Sequence, residues 1–136
     1  MKQTRNVRLL RGVKADAHGT GAVNGDDLDL RDVKGDLLVM VSLDDKGAAG
    51  TLDAKMQDAA DNGSGAAGTY ADVSGFVQTQ QTANGQRRWI VNRRALREWA
   101  RVVITVGATA VDAHVSVAVM EPGQDLFADA DEKFGL

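Results

Sequence analysis

Apolar residues recur at every second position in several short segments of this chain. In residues 37–43, one strand face would carry Leu37, Val39, Val41 and Leu43 and the other Leu38 and Met40, and residues 52–56 alternate apolar with charged residues. Successive side chains of a β-strand point to opposite faces, so this spacing predicts strands with one buried face. Residues 73–77 and 87–91 are further strand candidates.

Two later segments predict the clearest strands. Every position in residues 102–106 carries a β-branched side chain, which favours extended backbone. In residues 113–119, alanine and valine at odd positions alternate with His114, Ser116 and Ala118. Because residues 107–112 form only a short connection between them, we expect the two segments to pair as a hairpin.

The pattern as a whole predicts an all-β fold. The only helical turn we expect lies in residues 93–99, and no segment is long enough for the helices that connect parallel strands. The fifteen glycines and the single Pro122 indicate turns made by glycine. We therefore predict one antiparallel, jelly-roll-like β-sandwich, or else a small closed barrel. It comprises an N-terminal arm and first edge segment (1–25), a core (26–121) and an acidic tail (122–136).

The composition excludes several classes of protein. The chain has no cysteine, which rules out disulfides, cysteine-ligated zinc and thiol catalysis. Its first ten residues lack the apolar stretch of a signal peptide. The longest apolar run, residues 37–41, is far shorter than the about 20 residues of a membrane span. We expect a protein that is made in the cytoplasm, stays soluble and does not bind membranes.

No catalytic or metal-binding motif is visible. His18 and His114 are the only histidines, and no Gly-x-Ser-x-Gly or phosphate-binding loop occurs. The acidic segments 24–29 and 125–132 lack the ligand spacing of a helix-loop-helix calcium site. We therefore predict a protein that is not an enzyme and has neither a metal nor a cofactor.

An arginine cluster between residues 87 and 101 is the strongest candidate for a binding surface. Such a cluster serves as a protein interface, as a solvated basic face or as a phosphate-binding surface, and the sequence leaves these three uses open. The net charge of −3 argues against nucleic acid. The acidic residues 125–132 are a natural counterpart, on the same chain or on a neighbour. The cluster comprises Arg87, Arg88, Arg93, Arg94, Arg97 and Arg101.

The order of segments across most of residues 37–120 resembles that of the cement, or decoration, proteins of tailed-phage heads. Such proteins have a strand that carries a glutamine and an acidic loop, matched here by Gln57 and Asp58, and a strand that starts aromatic-x-Arg, matched by Trp99 and Arg101. The resemblance implies a jelly-roll-like sandwich on the outer capsid surface of a virion. It would tie neighbouring major capsid subunits together and would itself be a dimer or trimer.

The candidate interface residues come from the arginine cluster and from both terminal segments. We expect residues 1–14 and 124–136 to become ordered on binding, with their large apolar side chains as anchors. The alternative is a carbohydrate- or receptor-binding sandwich of a virion, for which six aromatic residues are few. The candidates are Arg87, Arg88, Arg93, Arg94, Arg97, Trp99, Arg101, Leu9, Leu10, Leu126, Phe127 and Phe134.

Overall fold

The computed structural model describes residues 8–77 and 80–120, which form two antiparallel β-sheets packed face to face. A short 3-10 helix, Arg93–Ala95, precedes the eighth strand. The strands are β1 (Arg8–His18), β2 (Gly21–Asn24), β3 (Leu28–Asp29), β4 (Leu37–Asp45), β5 (Thr51–Ala59), β6 (Ala71–Val77), β7 (Gly85–Val91), β8 (Trp99–Gly107) and β9 (Val111–Val119).

The strand order is that of a jelly roll. The first sheet runs β1-β9-β4-β7, and the second runs β2-β8-β5-β6 with β3 also paired to β8. Strand β1 pairs with β9, β2 with β8, β4 with β7 and β5 with β6, all antiparallel. The chain is thus one long antiparallel ribbon wrapped around a core. The predicted antiparallel sandwich is confirmed, and the closed barrel is not formed because the two sheets are separate.

The core lies between the facing sides of the two sheets. In β4, Leu37, Val39 and Val41 are fully buried, whereas the intervening residues are partly exposed. In β5, Leu52 and Met56 are buried in the same alternating way. Each aliphatic side chain of this kind contributes about 1.5–3 kcal/mol when fully buried. The strands predicted for residues 37–43 and 52–56 are confirmed.

The predicted hairpin between residues 102–106 and 113–119 is wrong, although both segments are strands. Strand β8 pairs with β2, β3 and β5 in the second sheet, whereas β9 pairs with β1 and β4 in the first. The connection between them, which includes Ala108 at a φ of 64°, carries the chain from one sheet to the other. Two strands that face each other across a core show the same alternation as two that lie side by side.

The N-terminal segment is a strand where it is described, and the predicted helical turn is shorter than expected. Strand β1 pairs with β9 from Arg8 opposite Val119 to His18 opposite Val111, so residues 8–14 form an edge strand and not an extended arm. Residues 1–7 and the tail 122–136 lie outside the described residues. The helical turn is confined to residues 93–95, and Trp99 already belongs to β8.

Candidate protein-interaction surface

The arginine cluster does not form one basic surface, because its members have three different environments. Arg93 is a structural residue: its guanidinium donates hydrogen bonds to backbone carbonyl oxygens on two segments. The acceptors are Leu30 and Val33, both at 2.9 Å, Leu96 at 2.8 Å and Arg97 at 3.2 Å. Arg93 therefore joins the loop before β4 to the turn before β8.

Arg97 and Arg101 are engaged by the second sheet. The Arg97 guanidinium lies 2.9 Å from the carboxylate of Asp58 at the end of β5. Arg101 donates from Nε to the side-chain oxygen of Gln57 at 2.9 Å, and its guanidinium lies 4.1 Å from the centre of the Tyr70 ring. This cation–π contact helps to hold the Arg101 guanidinium in place. Both charges are therefore used within this chain.

Arg87, Arg88 and Arg94 form a third group, whose side chains are exposed, as is that of the ion-paired Arg97. None of the three forms an ion pair with another residue of the described part of the chain. Arg87 and Arg88 lie on β7, an edge strand of the first sheet, and Arg94 lies in the 3-10 helix. An interface role for the arginine cluster is thus a proposal that concerns mainly these three side chains.

Trp99 contributes to packing and not to an exposed aromatic surface. Its residue is 8% exposed, and its indole N–H donates to Asp61 at 3.0 Å. The Arg31 guanidinium lies 5.0 Å from the centre of the Trp99 ring. The pKa of Asp61 lies below its ordinary value, mainly because the carboxylate accepts this hydrogen bond from Trp99. Trp99 therefore anchors the loop that follows β5.

The other aromatic residues of the described segments are also occupied. Trp89 is half-buried and packs against Phe76, with ring centres 5.4 Å apart, where the two sheets meet at β7 and β6. Tyr70 is covered by Arg101, and its hydroxyl donates to Asp27 at 2.7 Å. Within residues 8–77 and 80–120, no aromatic platform of the kind that binds sugars is formed.

The outer face of the second sheet is a network of polar side chains that bind one another. Lys55 on β5 lies 2.9 Å from the Asp72 carboxylate on β6, and Gln57 donates to the same carboxylate at 2.8 Å. Both contacts lower the pKa of Asp72, and the hydrogen bond from Gln57 has the larger effect. Because these groups already have partners, this face offers little unsatisfied binding capacity.

The outer face of the first sheet carries an apolar row across all four strands. Cross-strand partners in an antiparallel sheet point to the same face. Ala118 of β9 lies opposite Leu9 of β1 on one side and opposite Leu38 of β4 on the other, and Leu38 lies opposite Ile90 of β7. We call Leu9, Ala118, Leu38 and Ile90 the apolar row.

The two ends of the apolar row are unusually exposed. Leu9 is 73% exposed and Ile90 is 67% exposed, and they are the exposed large hydrophobic residues of the described part of the chain. Leu10, the neighbouring interface candidate, is half-buried and packs against the core. The interface residues predicted from the sequence include Leu9 but not Ile90. A signal was present, because Trp89 and Val91 occupy the inward positions of β7 and leave Ile90 on the outer face.

A basic row runs beside the apolar row. It consists of Arg11 on β1, Ser116 on β9, Met40 on β4 and Arg88 on β7, which are cross-strand partners in that order. Arg11 lies 2.7 Å from Asp26, in an exposed ion pair. Arg88 has no ion pair with another described residue. The face thus combines exposed aliphatic side chains with positive charge.

A serine, an aspartate and a histidine meet at one end of this face, but not in the order that catalysis needs. Ser42 donates its hydroxyl hydrogen to Asp44 at 2.7 Å, and His114 Nδ1 lies 2.7 Å from the other carboxylate oxygen of Asp44. A nucleophilic serine must instead contact the histidine that removes its proton. The other histidine, His18, contacts the backbone carbonyl oxygens of Lys14 and Ala113.

Two further features were sought within the described segments, a cluster of metal ligands and a membrane-crossing helix. Their His, Asp and Glu side chains are nowhere grouped in threes or more in a way that could hold a metal ion. No helix in residues 8–77 and 80–120 has the length and apolar composition needed to cross a membrane. The interface candidates Leu126, Phe127 and Phe134 lie outside these residues and stay predictions.

Sequence comparison identifies no relative: no family model matches the chain, and no curated protein matches it. Solved structures do share its fold. A chain of infectious bursal disease virus, Gt strain, has a TM-score of 0.52 at 10% identity, over 89% of this chain and 33% of that chain. For the Gx strain the TM-score is 0.52 at 11% identity, over 90% of this chain and 34% of that one.

A third structure, the infectious bursal disease virus VP2 subviral particle, gives a TM-score of 0.52 at 10% identity over 85% of this chain and 32% of that chain. The present chain spans about a third of the length of these viral chains. At such identity, the similarity establishes the fold alone. This chain is an antiparallel β-sandwich of a kind also found within chains of infectious bursal disease virus.

Proposed function

We propose that this chain is a structural protein of a virion. More specifically, we propose a capsid cement protein that binds the outer surface of a tailed-phage head and joins neighbouring major capsid subunits. The wrapped jelly-roll topology, shared with chains of a virus, is the observation that carries the proposal. The segment order that resembles phage cement proteins supports the narrower part of it.

The two outer faces of the sandwich differ, and the outer face of the first sheet suits contact with another protein better than that of the second. One face is a polar network whose charges are paired within the chain, and the other carries exposed aliphatic residues beside arginines. A protein partner on this face would cover Leu9 and Ile90 and remove their apolar surface from water. We propose that Arg87 and Arg94, which lack ion pairs in the described part of the chain, contact acidic groups on capsid subunits.

The test is to locate the protein in virus particles. Particles purified from cells that carry the gene are analysed by mass spectrometry for peptides of this chain. Antibodies against the chain, with gold labels, are then applied to intact and to disrupted particles in the electron microscope. Labelling of intact particles is the result expected of a cement protein on the outer surface.

Two other outcomes would change the proposal. Gold labels on disrupted particles alone would contradict an outer position, while a structural role in the virion would stand. Absence of the chain from purified particles would overturn the virion role itself. As a control, the same particles are labelled with antibodies against the major capsid protein. This labelling verifies that the antibody procedure and the disruption have worked.

A further inference from the structure

The apolar row is narrow, and its large exposed side chains, Leu9 and Ile90, lie at its two ends, with the buried Ala118 between them. Neighbouring strands are about 4.8 Å apart, so the row measures about 14 Å from Leu9 on β1 to Ile90 on β7. With the basic row beside it, the patch covers at most a few hundred Å², whereas a stable interface between two folded domains buries about 800 Å² on each partner. The size therefore fits an extended peptide segment better than a second sandwich.

The positive charge beside the apolar row limits which kind of segment can bind there. Pairing this face with the same face of a second copy would place the unpaired Arg88 side chains of both copies in one interface, whereas Arg11 is already paired with Asp26. Like charges at an interface oppose such pairing. A segment that combines large apolar side chains with carboxylates would instead satisfy both rows at once.

The chain itself contains such a segment outside the described residues. Residues 121–136 carry acidic residues at positions 121, 125, 129, 131 and 132, and large apolar residues at 126, 127, 134 and 136. An extended chain advances about 3.3 Å per residue, so about five residues suffice to cross the row. The segment is therefore long enough and has the complementary chemistry.

The position of β9 favours a segment from a second copy. Strand β9 is an interior strand of the first sheet, with β1 on one side and β4 on the other. The segment that follows β9 in the same chain starts between the two ends of the row. Without reversing its direction it can reach either Leu9 on β1 or Ile90 on β7, but not both. A segment that arrives from a neighbouring molecule enters at an edge and crosses all four strands.

We propose that the apolar row, together with Arg88, binds the C-terminal segment 121–136 of a second copy of this chain. Exchange in both directions gives a closed dimer with two equivalent contacts. The inference deepens the proposed function, because it names the contact by which copies of the protein associate. It requires neither a capsid nor a phage for its test.

The experiment uses full-length variants that each lack one side of the contact. Ile90→Asp places a carboxylate in the apolar row, and the double substitution Leu126→Asp/Phe127→Asp removes two apolar residues from the segment. Thr105→Asp, on the exposed outer face of the second sheet, is the matched control. Mass is measured by size-exclusion chromatography with light scattering at low and high salt, and circular dichroism verifies folding.

We expect the parent and Thr105→Asp to be dimers that dissociate with increasing salt. Each contact variant should raise the dimer dissociation constant about tenfold or more. A mixture of Ile90→Asp with the double variant should form heterodimers, since one molecule retains an intact segment and the other an intact row. Dimer formation in the mixture, when neither variant dimerises well alone, requires that the segment of one molecule binds the row of another.

Three outcomes would overturn the inference. A monomeric parent protein would show that the row does not bind the segment of a second copy. This holds equally if the segment binds the row of its own chain. Contact variants as dimeric as the parent would show that the dimer uses another surface, and failure of the mixture to associate would exclude the exchange. The labelling of virus particles is independent of all three, so the inference and the proposed function can fail separately.

Discussion

Arg97 binds Asp58 through both its side chain and its backbone. The guanidinium Nη2 lies 2.9 Å from the carboxylate and 2.7 Å from the carbonyl oxygen of Asp58, and the Arg97 backbone N–H donates to the second carboxylate oxygen at 3.0 Å. The Asp58 side chain is only 12% exposed, whereas that of Arg97 is 45% exposed. The pair joins the end of β5 to the segment that leads into β8.

Replacement of Asp58 by alanine should destabilise the fold by about 1–3 kcal/mol, because it leaves hydrogen-bond donors of Arg97 without their partner. The matched control is Asp72→Ala, whose carboxylate is 61% exposed in its ion pair with Lys55. An exposed pair contributes about 0–1 kcal/mol. Urea denaturation gives the free energy of unfolding for both variants. Equal losses would show that the burial of Asp58 adds nothing.

Arg93 and Arg94 are adjacent in sequence but should differ sharply in their effect on stability. Arg93→Ala removes the donors to four backbone carbonyls around the 3-10 helix, and hydrogen bonds from charged donors contribute about 1.5–3 kcal/mol each. Arg94 is exposed, and its alanine variant should change stability by less than about 0.5 kcal/mol. Thermal unfolding of the two variants tests the difference, and similar melting temperatures would contradict it.

Gly25 occupies a position that excludes any side chain. A Cβ atom there would collide with the backbone carbonyl oxygens of Gly12 on β1 and Val102 on β8, one from each sheet. Gly25→Ala should therefore cost about 1–3 kcal/mol. At Gly19 a Cβ atom would meet nothing within 4 Å, so Gly19→Ala is the control and should be nearly neutral. Comparable urea midpoints for the two variants would argue against the close contact.

Acid should weaken the fold partly through Asp44. Burial opposes ionisation of this carboxyl group, but hydrogen bonds from Ser42 and His114 outweigh it and lower its pKa below the ordinary 3.8. A carboxylate with a lowered pKa stabilises the folded state above its ordinary pKa, and this contribution disappears as the pH falls through the lowered value. Asp44→Asn should thus be less stable than the parent at about pH 6, and the difference should shrink towards about pH 3. A difference that stays constant with pH would contradict this account.

The alternation of side chains predicted the elements well and their partners poorly. Residues 37–43 and 52–56 are strands with the expected buried faces, because burial on one side depends only on the period of the sequence. The same period in β8 and β9 suggested a hairpin, yet these strands belong to opposite sheets. Periodicity records which residues face the core but not which neighbour a strand has.

The arginine cluster shows a similar division. Its residues are close in sequence, but Arg97 is held by Asp58 and Arg101 by Gln57, both on β5 and about forty positions away. Only Arg87, Arg88 and Arg94 stay exposed without an ion pair in the described segments. The cluster could be read from the sequence, whereas the use of each charge depends on distant carboxyl, amide and carbonyl groups.

The sequence by itself determined the class of the fold, since strand periodicity and the lack of long helical patterns leave few arrangements other than antiparallel sheets. Only the tertiary structure decided which side chains lie together on the outer face of each sheet. The apolar row joins Leu9, Leu38, Ile90 and Ala118, which come from four strands spread over most of the chain. The physical reason is that hydrogen-bond register between distant strands places these side chains side by side, and no local pattern records that register.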